Sequence, residues 1–359
     1  MARLTRAEQQ ARNRARVLSA ARKEFAEHGF RDAKVDRIAE RVDLTRGAVY
    51  SNFPGKRALY FSVLAEGAEH VAQNVRSEPG HTPRAVLGAL ARAWVSRFPL
   101  TGRPSLIGSA LTPEILAGDA NRDAFAQLMR LNAILLGDAL EALEPPSEPG
   151  GRRVRVAESV LTTLHGARQV LGIAPGFVDP FTVVRACERL ADLDLGDAWP
   201  PPRLAYVPSA EQVDEEWSPP EVFDAVRRRT VSLTGDGVVA VLGVGRLEAA
   251  EEALRSAPEG VEVTAVVVTD DPAERIPLAR LAVADLCGCL RQAFPESAWP
   301  RLRVVFDESG RIAAAAGVTA VGDATEAAVR VEDGRITARS EAPGACHAVA
   351  SFDPITAHG

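Results

Sequence analysis

From Ala33 to Leu59 the chain reads AKVDRIAERVDLTRGAVYSNFPGKRAL, two short helical patterns joined by a three-residue break, with a third helix start directly behind. Val35, Ile38 and Ala39 repeat at the i, i+3, i+4 spacing of a core-facing stripe, while Lys34, Arg37 and Arg41 fall elsewhere on the turn. The first helix ends over Val42, Asp43 and Leu44. Asp43 stands where the chain must turn sharply, and Asp tolerates the left-handed conformation better than most residues with a side chain. Thr45 suits the N-cap of a second helix, because its hydroxyl can accept from the free N–H groups of the first turn. That helix is expected from Arg46 to Asn52, with Val49 and Phe53 inward and Thr45, Arg46, Gly47, Ala48, Tyr50 and Ser51 outward. Pro54 and Gly55 stop it, and Lys56 opens the next helix. The layout is a helix-turn-helix, whose second helix can enter a major groove and meet base edges and phosphates.

A cation at a helix start is poor for the helix alone, since the dipole there is already positive, but it is good for holding a phosphate. Lys56 therefore favours double-stranded DNA as the partner. The same residues resemble the DNA-binding segment of the TetR family of bacterial transcription regulators. The matching positions are Ile38 and Ala39, Thr45, Gly47, Tyr50, Phe53 and Lys56, with Ala21, Phe25 and Gly29 upstream. The resemblance covers about the first 60 residues. Two positions depart from it: Ala33 stands near where the family carries a capping Thr or Ser that touches a phosphate, and Asp43 where the turn commonly has Gly. Lys34 is then the residue available for that phosphate contact.

At 359 residues the chain exceeds one typical core, and two or three domains are expected. A net charge of −6 looks wrong for a DNA binder until it is divided. Residues 1–57 hold 14 Lys and Arg against 7 Asp and Glu, which leaves 28 against 41 for the rest. The basic part carries the motif, and the asymmetry steers that face toward DNA. With no run of 18 apolar residues and a charged N-terminus, no membrane association and a cytoplasmic location are expected. Four scattered cysteines fit a reducing compartment.

Residues 5–28 form one helical pattern with Val17, Leu18, Ala21 and Phe25 on a face and Arg12, Arg14, Arg16 and Arg22 mostly off it; those arginines are either a solvated face or phosphate contacts. A connecting helix is expected from Lys56 to about Ser77. Helices follow at Thr82 to Phe98, Pro104 to Leu116, Asn121 to Leu143, Arg152 to Leu171 and Asp179 to Leu193, broken by Pro- and Gly-rich pieces. By resemblance this is the all-helical regulatory domain, whose last two helices pair with a second copy as a four-helix bundle in a homodimer. Such a domain also encloses a small-molecule effector, for which Trp94, Phe98, Phe125, Met129 and His165 are candidate lining residues. Core packing is the stronger reading of the same residues, since aromatic and Met side chains at helical spacing are more often core than pocket.

Trp199 to Ser218 reads as a linker, with Pro200, Pro201, Pro202 and Pro208 among acidic residues. Beyond it the pattern alternates: a β-branched run at Val238 to Leu242, a helix at Arg246 to Ser256, a strand at Val261 to Thr269 and a helix at Arg275 to Ala293. A strand at Leu302 to Phe306, a short helix at Arg311 to Ala316 and a hairpin from Glu326 to Arg339 turning at Asp333 and Gly334 complete it. This implies an α/β sheet covered on both faces. The order, with VVFDESGRIAAAAGV and VRVEDGRI, resembles the thioredoxin-like fold. The expected division is residues 1–57 for the head, 58–197 for the helical domain, 198–218 for the linker and 219–359 for the α/β domain.

A thioredoxin-like redox site needs Cys-x-x-Cys after the first strand, where this chain has Leu242, Gly243, Val244, Gly245 and Arg246, and a proline opposite, where Val321, Gly322 and Asp323 stand. No catalytic residue is assigned, and no enzyme activity is expected. Cys287 and Cys289 on one helix point about 200° apart, awkward for a metal or a disulfide, and Cys346 before His347 adds no metal spacing. The GVGR piece at 243–246 lacks the rest of either phosphate-loop pattern. No cofactor or metal is expected. The chain thus reads as an effector-responsive, dimeric regulator of a palindromic operator. The alternatives are a thiol-redox regulator sensing through Cys287, Cys289 or Cys346, or a regulator fused to an enzymatic domain.

Overall fold

The computed structural model describes residues 5–71, 79–98, 118–146, 150–174, 176–199 and 207–352. The helix expected from Pro104 to Leu116, the last turns of the connecting helix and Pro200 to Pro202 lie outside the described residues.

α1 (Arg6–Asp32) opens on a capping box between Thr5 and Glu8 and turns at Gly29, whose φ of 69° suits a residue without Cβ. α2 (Val35–Glu40), α3 (Arg46–Tyr50) and α4 (Lys56–Val71) follow. Their common core contains Val17, Ala21, Phe25, Ile38, Val49, Phe53 and Tyr60, with Phe25 and Tyr60 edge to face at 4.9 Å. α5 (Pro83–Val95), α6 (Asp119–Leu143), α7 (Val154–Ile173) and α8 (Pro180–Leu190) form the helical region, α5 against α8 and α6 against α7. Thr82 caps α5, and Asp179 caps α8 ahead of a first-turn proline. No described helix is long and apolar enough to cross a membrane.

The C-terminal region comprises β1 (Glu211–Glu216), β2 (Val222–Asp224), β3 (Arg229–Val231), β4 (Gly237–Gly243), α9 (Ala249–Ser256), β5 (Glu262–Val268), α10 (Pro272–Ala293), β6 (Arg303–Phe306), α11 (Arg311–Ala315), β7 (Glu326–Glu332), β8 (Arg335–Glu341) and α12 (Ala345–Ala350). A six-stranded sheet runs β1-β8-β7-β4-β5-β6, with β4, β5 and β6 parallel and β7, β8 and β1 antiparallel to their neighbours. The β7–β8 turn is at Asp333 (φ 50°) and Gly334 (φ 72°), the paired positive φ of a two-residue hairpin.

The segment expected as a linker carries β1 instead. Its EQVDEE sequence pairs with β8 because Arg335 meets Asp214 and Arg339 meets Glu211 and Glu215, so cross-strand charges replace an apolar signal at this edge. The β2–β3 ribbon and α12 are also additional to the sequence reading.

The sheet's two faces have different partners. Val239, Val241, Val266 and Val268 pack with Ile312 and Ala313 of α11 and with Trp217, Val222 and Leu233. Val238, Ala240, Leu242, Val263 and Val267 face α9, α10 and α12, and that layer continues without a break into the helical region and the head as one apolar core. From Ile276 onward most of α10 is buried, with Arg280, Asp285 and Arg291 partly exposed, and it packs on α4, α5 and α6.

Candidate nucleic-acid interface

The helix-turn-helix is assembled from one sharp turn and one cap. Asp43 is left-handed at φ 51°, and the Thr45 hydroxyl accepts from the Ala48 N–H at 3.2 Å. α3 stops at Tyr50, two residues before the expected end: Ser51 Oγ and Asn52 Nδ2 both donate to the Ala48 carbonyl at 2.9 Å, while the Asn52 N–H bonds the Val49 carbonyl at 3.0 Å instead.

Thr45, Arg46, Gly47 and Ser51 are exposed, as is Lys34 at the start of α2. Ala48 and Tyr50 are half-buried, less outward than the sequence suggested, because Tyr50 also packs against the head core. Arg46 lies across the Tyr50 ring at 5.4 Å, within 3.4 Å of its hydroxyl, and within 3.4 Å of Asp36. The Lys34 ammonium makes no ion pair among the described residues.

Lys56 is half-buried. Its Nζ donates to the Arg31 carbonyl at 2.9 Å and sits 5.1 Å from the Phe30 ring centre, so it holds the end of α1 against the start of α4. Burial pushes its ammonium below the usual lysine range.

Three of the arginines on α1 have internal partners. Arg14 stacks on Phe53 at 4.3 Å and donates to the Asn52 carbonyl at 3.1 Å; Arg16 donates to the Val42 carbonyl at 2.5 Å. Arg22 pairs with Glu66 at 3.1 Å. Each cation satisfies the C-terminal carbonyls of a neighbouring element or bridges two helices. Sequence reasoning missed Glu24, whose carboxylate is fully buried and takes the Lys34 N–H at 3.2 Å and Arg41 at 3.3 Å, locking α1 to α2. A lone carboxylate beside Phe25 on the inner stripe was its signal. Glu24, Glu27 and His28 bring ligand atoms within 4.8 Å of one another, but Arg37 and Arg41 already neutralise Glu24.

In the helical region the structure brings together three of the five candidate lining residues: His165 lies 4.9 Å from Trp94 and 6.4 Å from Phe125 between ring centres. Phe98 and Met129 belong to the same core. Burial, with Arg168 nearby, pushes His165 down to about 4, so the imidazole is neutral at pH 7. The buried Trp94 Nε1 has no hydrogen-bond partner among the described residues.

At the carboxyl end of β4, a Cβ on Gly243 would lie 2.3 Å from the carbonyl oxygens of both Gly322 and Asp323, and Gly245 donates to the Asp323 carbonyl at 2.9 Å. The loop before β7 is thus closed onto the strand end, and Arg246 fills the remaining space by bonding the fully buried Glu326 carboxylate at 2.6 Å. All four cysteines are free and buried. Burial raises Cys187 and Cys287 to about 12, Cys289 to about 11 and Cys346 well above its ordinary value.

The model described as "Bacterial regulatory proteins, tetR family" matches residues 17–63. The transcriptional repressor AcnR of Corynebacterium efficiens is 38% identical over 68 residues, 19% of this chain and 36% of that protein. The repressor KstR of Rhodococcus jostii is 27% identical over 144 residues, 39% of this chain and 65% of that protein. The crystal structure of a TetR transcriptional regulator from Rhodococcus sp. RHA1 aligns at 19% identity and a TM-score of 0.35, over 51% of this chain and 95% of that one. The chain spans about a third of the length of curated relatives such as AcnR, 36% in that case. Over residues 17–63 it carries the N-terminal helix-turn-helix domain of the TetR family.

Proposed function

We propose that the chain is a TetR-like transcriptional repressor that binds a palindromic DNA operator as a homodimer and releases it on binding a small-molecule effector. The observation that carries this reading is the α2–α3 pair: a left-handed Asp43 turn, a Thr45 cap, and an exposed face bearing Thr45, Arg46, Gly47 and Ser51. In this reading Arg46 and its exposed neighbours, with Ala48, meet base edges, while Lys34, Tyr50 and Lys56 hold phosphates. A helix of five residues reads few base pairs, so two copies are needed to specify a site. The Trp94, Phe125 and His165 cluster, with its unpartnered indole N–H, suits an effector that accepts a hydrogen bond.

The α/β region follows a thioredoxin-like succession of strands and helices, and serves here as a structural module. Thiols held protonated inside the core are poor nucleophiles, which disfavours the redox alternative, and the closed end of β4 leaves no room for the corresponding redox pair. Selection from random duplexes tests the function: enrichment of an inverted repeat with half-sites about one helical turn apart is expected. Absence of any enriched sequence at low salt would refute it.

A further inference from the structure

The connecting helix α4 is gripped by a helix from outside the TetR-like part of the chain. α10 leaves the end of β5 and carries three polar contacts along its length. In its first turn, Glu274 lies 3.2 Å from Arg57 Nε at the start of α4 and accepts from Asn121 of α6 at 2.7 Å. Further on, Arg280 donates from Nε and Nη2 to the two oxygens of Glu69, both at 3.0 Å, near the far end of α4. The same guanidinium lies 3.5 Å from Glu308, in the loop that follows β6. Last, Asp285 accepts from Arg97, just past the end of α5, at 3.3 Å and from Arg168 of α7 at 3.2 Å, and Arg168 lies over the Trp94 ring at 5.5 Å.

One helix of 22 residues, about 33 Å long at 1.5 Å per residue, therefore touches both ends of α4 and the walls of the Trp94–His165 cluster. The apolar faces of α4 and α10 also share the continuous core. α4 begins at Lys56, immediately behind the recognition helix, so whatever fixes α4 fixes the head.

We infer that Glu274 and Arg280 are positioning residues for DNA recognition: through α10, the α/β region sets the direction of α4 and hence the separation of the two recognition helices in the dimer. The inference rests on the dimeric-operator reading. Neither side chain touches DNA; each acts through α4. The pairs are partly solvent-exposed, with Arg280 and Glu69 side chains at 33% and 23%, so their effect on fold stability is small, whereas their geometric effect is multiplied by the length of α4.

The test uses the full-length protein and a set of duplexes in which the two selected half-sites are spaced at the preferred distance or one and two base pairs either side, plus a duplex with one half-site. Wild type is expected to prefer one spacing. Arg280→Glu is expected to lose about fivefold or more at that spacing and to flatten the preference, with single half-site binding within about twofold of wild type. Arg280→Lys should recover most of the loss, and Glu274→Gln, which can keep the Asn121 bond but not the charge, should shift the preference in the same sense. A wild-type spacing profile in Arg280→Glu and Glu274→Gln overturns the inference while leaving the operator reading intact. So does a loss of half-site binding in parallel with the full operator, which marks general damage to the head. A wild type that selects no paired half-sites overturns both.

Discussion

Lys56 has a role in the fold, and the proposed function gives it a second one on a phosphate. In the free protein its ammonium bonds the Arg31 carbonyl and lies against Phe30, which satisfies the end of α1. Lys56→Ala is therefore expected to cost about 1 kcal/mol of stability from the lost helix-end bond, and to reduce the slope of log K against log salt by about one unit if the ammonium swings to a phosphate. A lower Tm with an unchanged slope would leave Lys56 as a cap only. Arg46→Ala, at a site exposed beside Asp36, should instead change which sequences are selected. His165 makes a pH prediction. Its folded pKa is about 4 against about 6.5 when unfolded, so above pH 6.5 it contributes nothing, and as pH falls from 6.5 toward 4 only the unfolded chain takes the proton and stability is lost. The loss is about 2 kcal/mol at pH 5. His165→Phe removes this component, so urea unfolding at pH 7 and pH 5 should show the variant gaining on wild type by that amount; parallel losses would contradict a buried neutral imidazole.

At the scale of elements, what could be read from the sequence was local. The Asp43 turn, the Thr45 cap and the inward Val49 and Phe53 are decided within a few residues, and each stands in the structure as expected. β1 was illegible because the arginines that pair its carboxylates come more than 100 residues later. The length of α3 was overestimated because two side chains compete for the Ala48 carbonyl. α10 was legible as a helix, but nothing in the sequence named α4 as its neighbour. α6 makes the same point with polar groups. Its Gln127 accepts from the Glu248 N–H, its Asn132 donates to the Ala282 carbonyl, and its Glu141 holds Arg255, all in the α/β region. Asp138, 1% exposed, takes the Arg301 N–H at 2.6 Å and its Nε and Nη2 at 3.0 and 2.9 Å. Asp138→Ala frees a guanidinium that water can solvate but leaves a backbone N–H without its acceptor, for an expected cost of about 1–3 kcal/mol. A Tm within a degree of wild type would mean that this seam between α6 and the α/β region carries little of the stability.

At the scale of the molecule, the most exposed large apolar side chains among the described residues lie at the α7–α8 corner, where Ile173, Phe177 and Phe181 are 83%, 79% and 82% exposed. At about 1.5–3 kcal/mol for each large side chain buried, six such residues across a twofold axis would supply roughly 9–18 kcal/mol, comparable with the roughly 4–15 kcal/mol that association costs. The corner can sustain a dimer only if neighbouring surface closes as well. The adjoining stripe of α7, Thr162, Gly166, Gln169 and Ile173, is exposed and has a glycine at its middle, where a partner helix could approach closely. Gly166→Leu separates this role from folding. A Cβ there meets nothing within 4 Å in the single chain, and leucine favours a helix by about 0.8 kcal/mol over glycine, so Tm in the monomeric state should hold or rise. Against a second copy the same side chain would hold the helices apart. Sedimentation at low micromolar concentration is expected to show dimer for wild type and monomer for the variant, with operator affinity lost and half-site affinity kept. A variant that stays dimeric would move the interface away from this stripe.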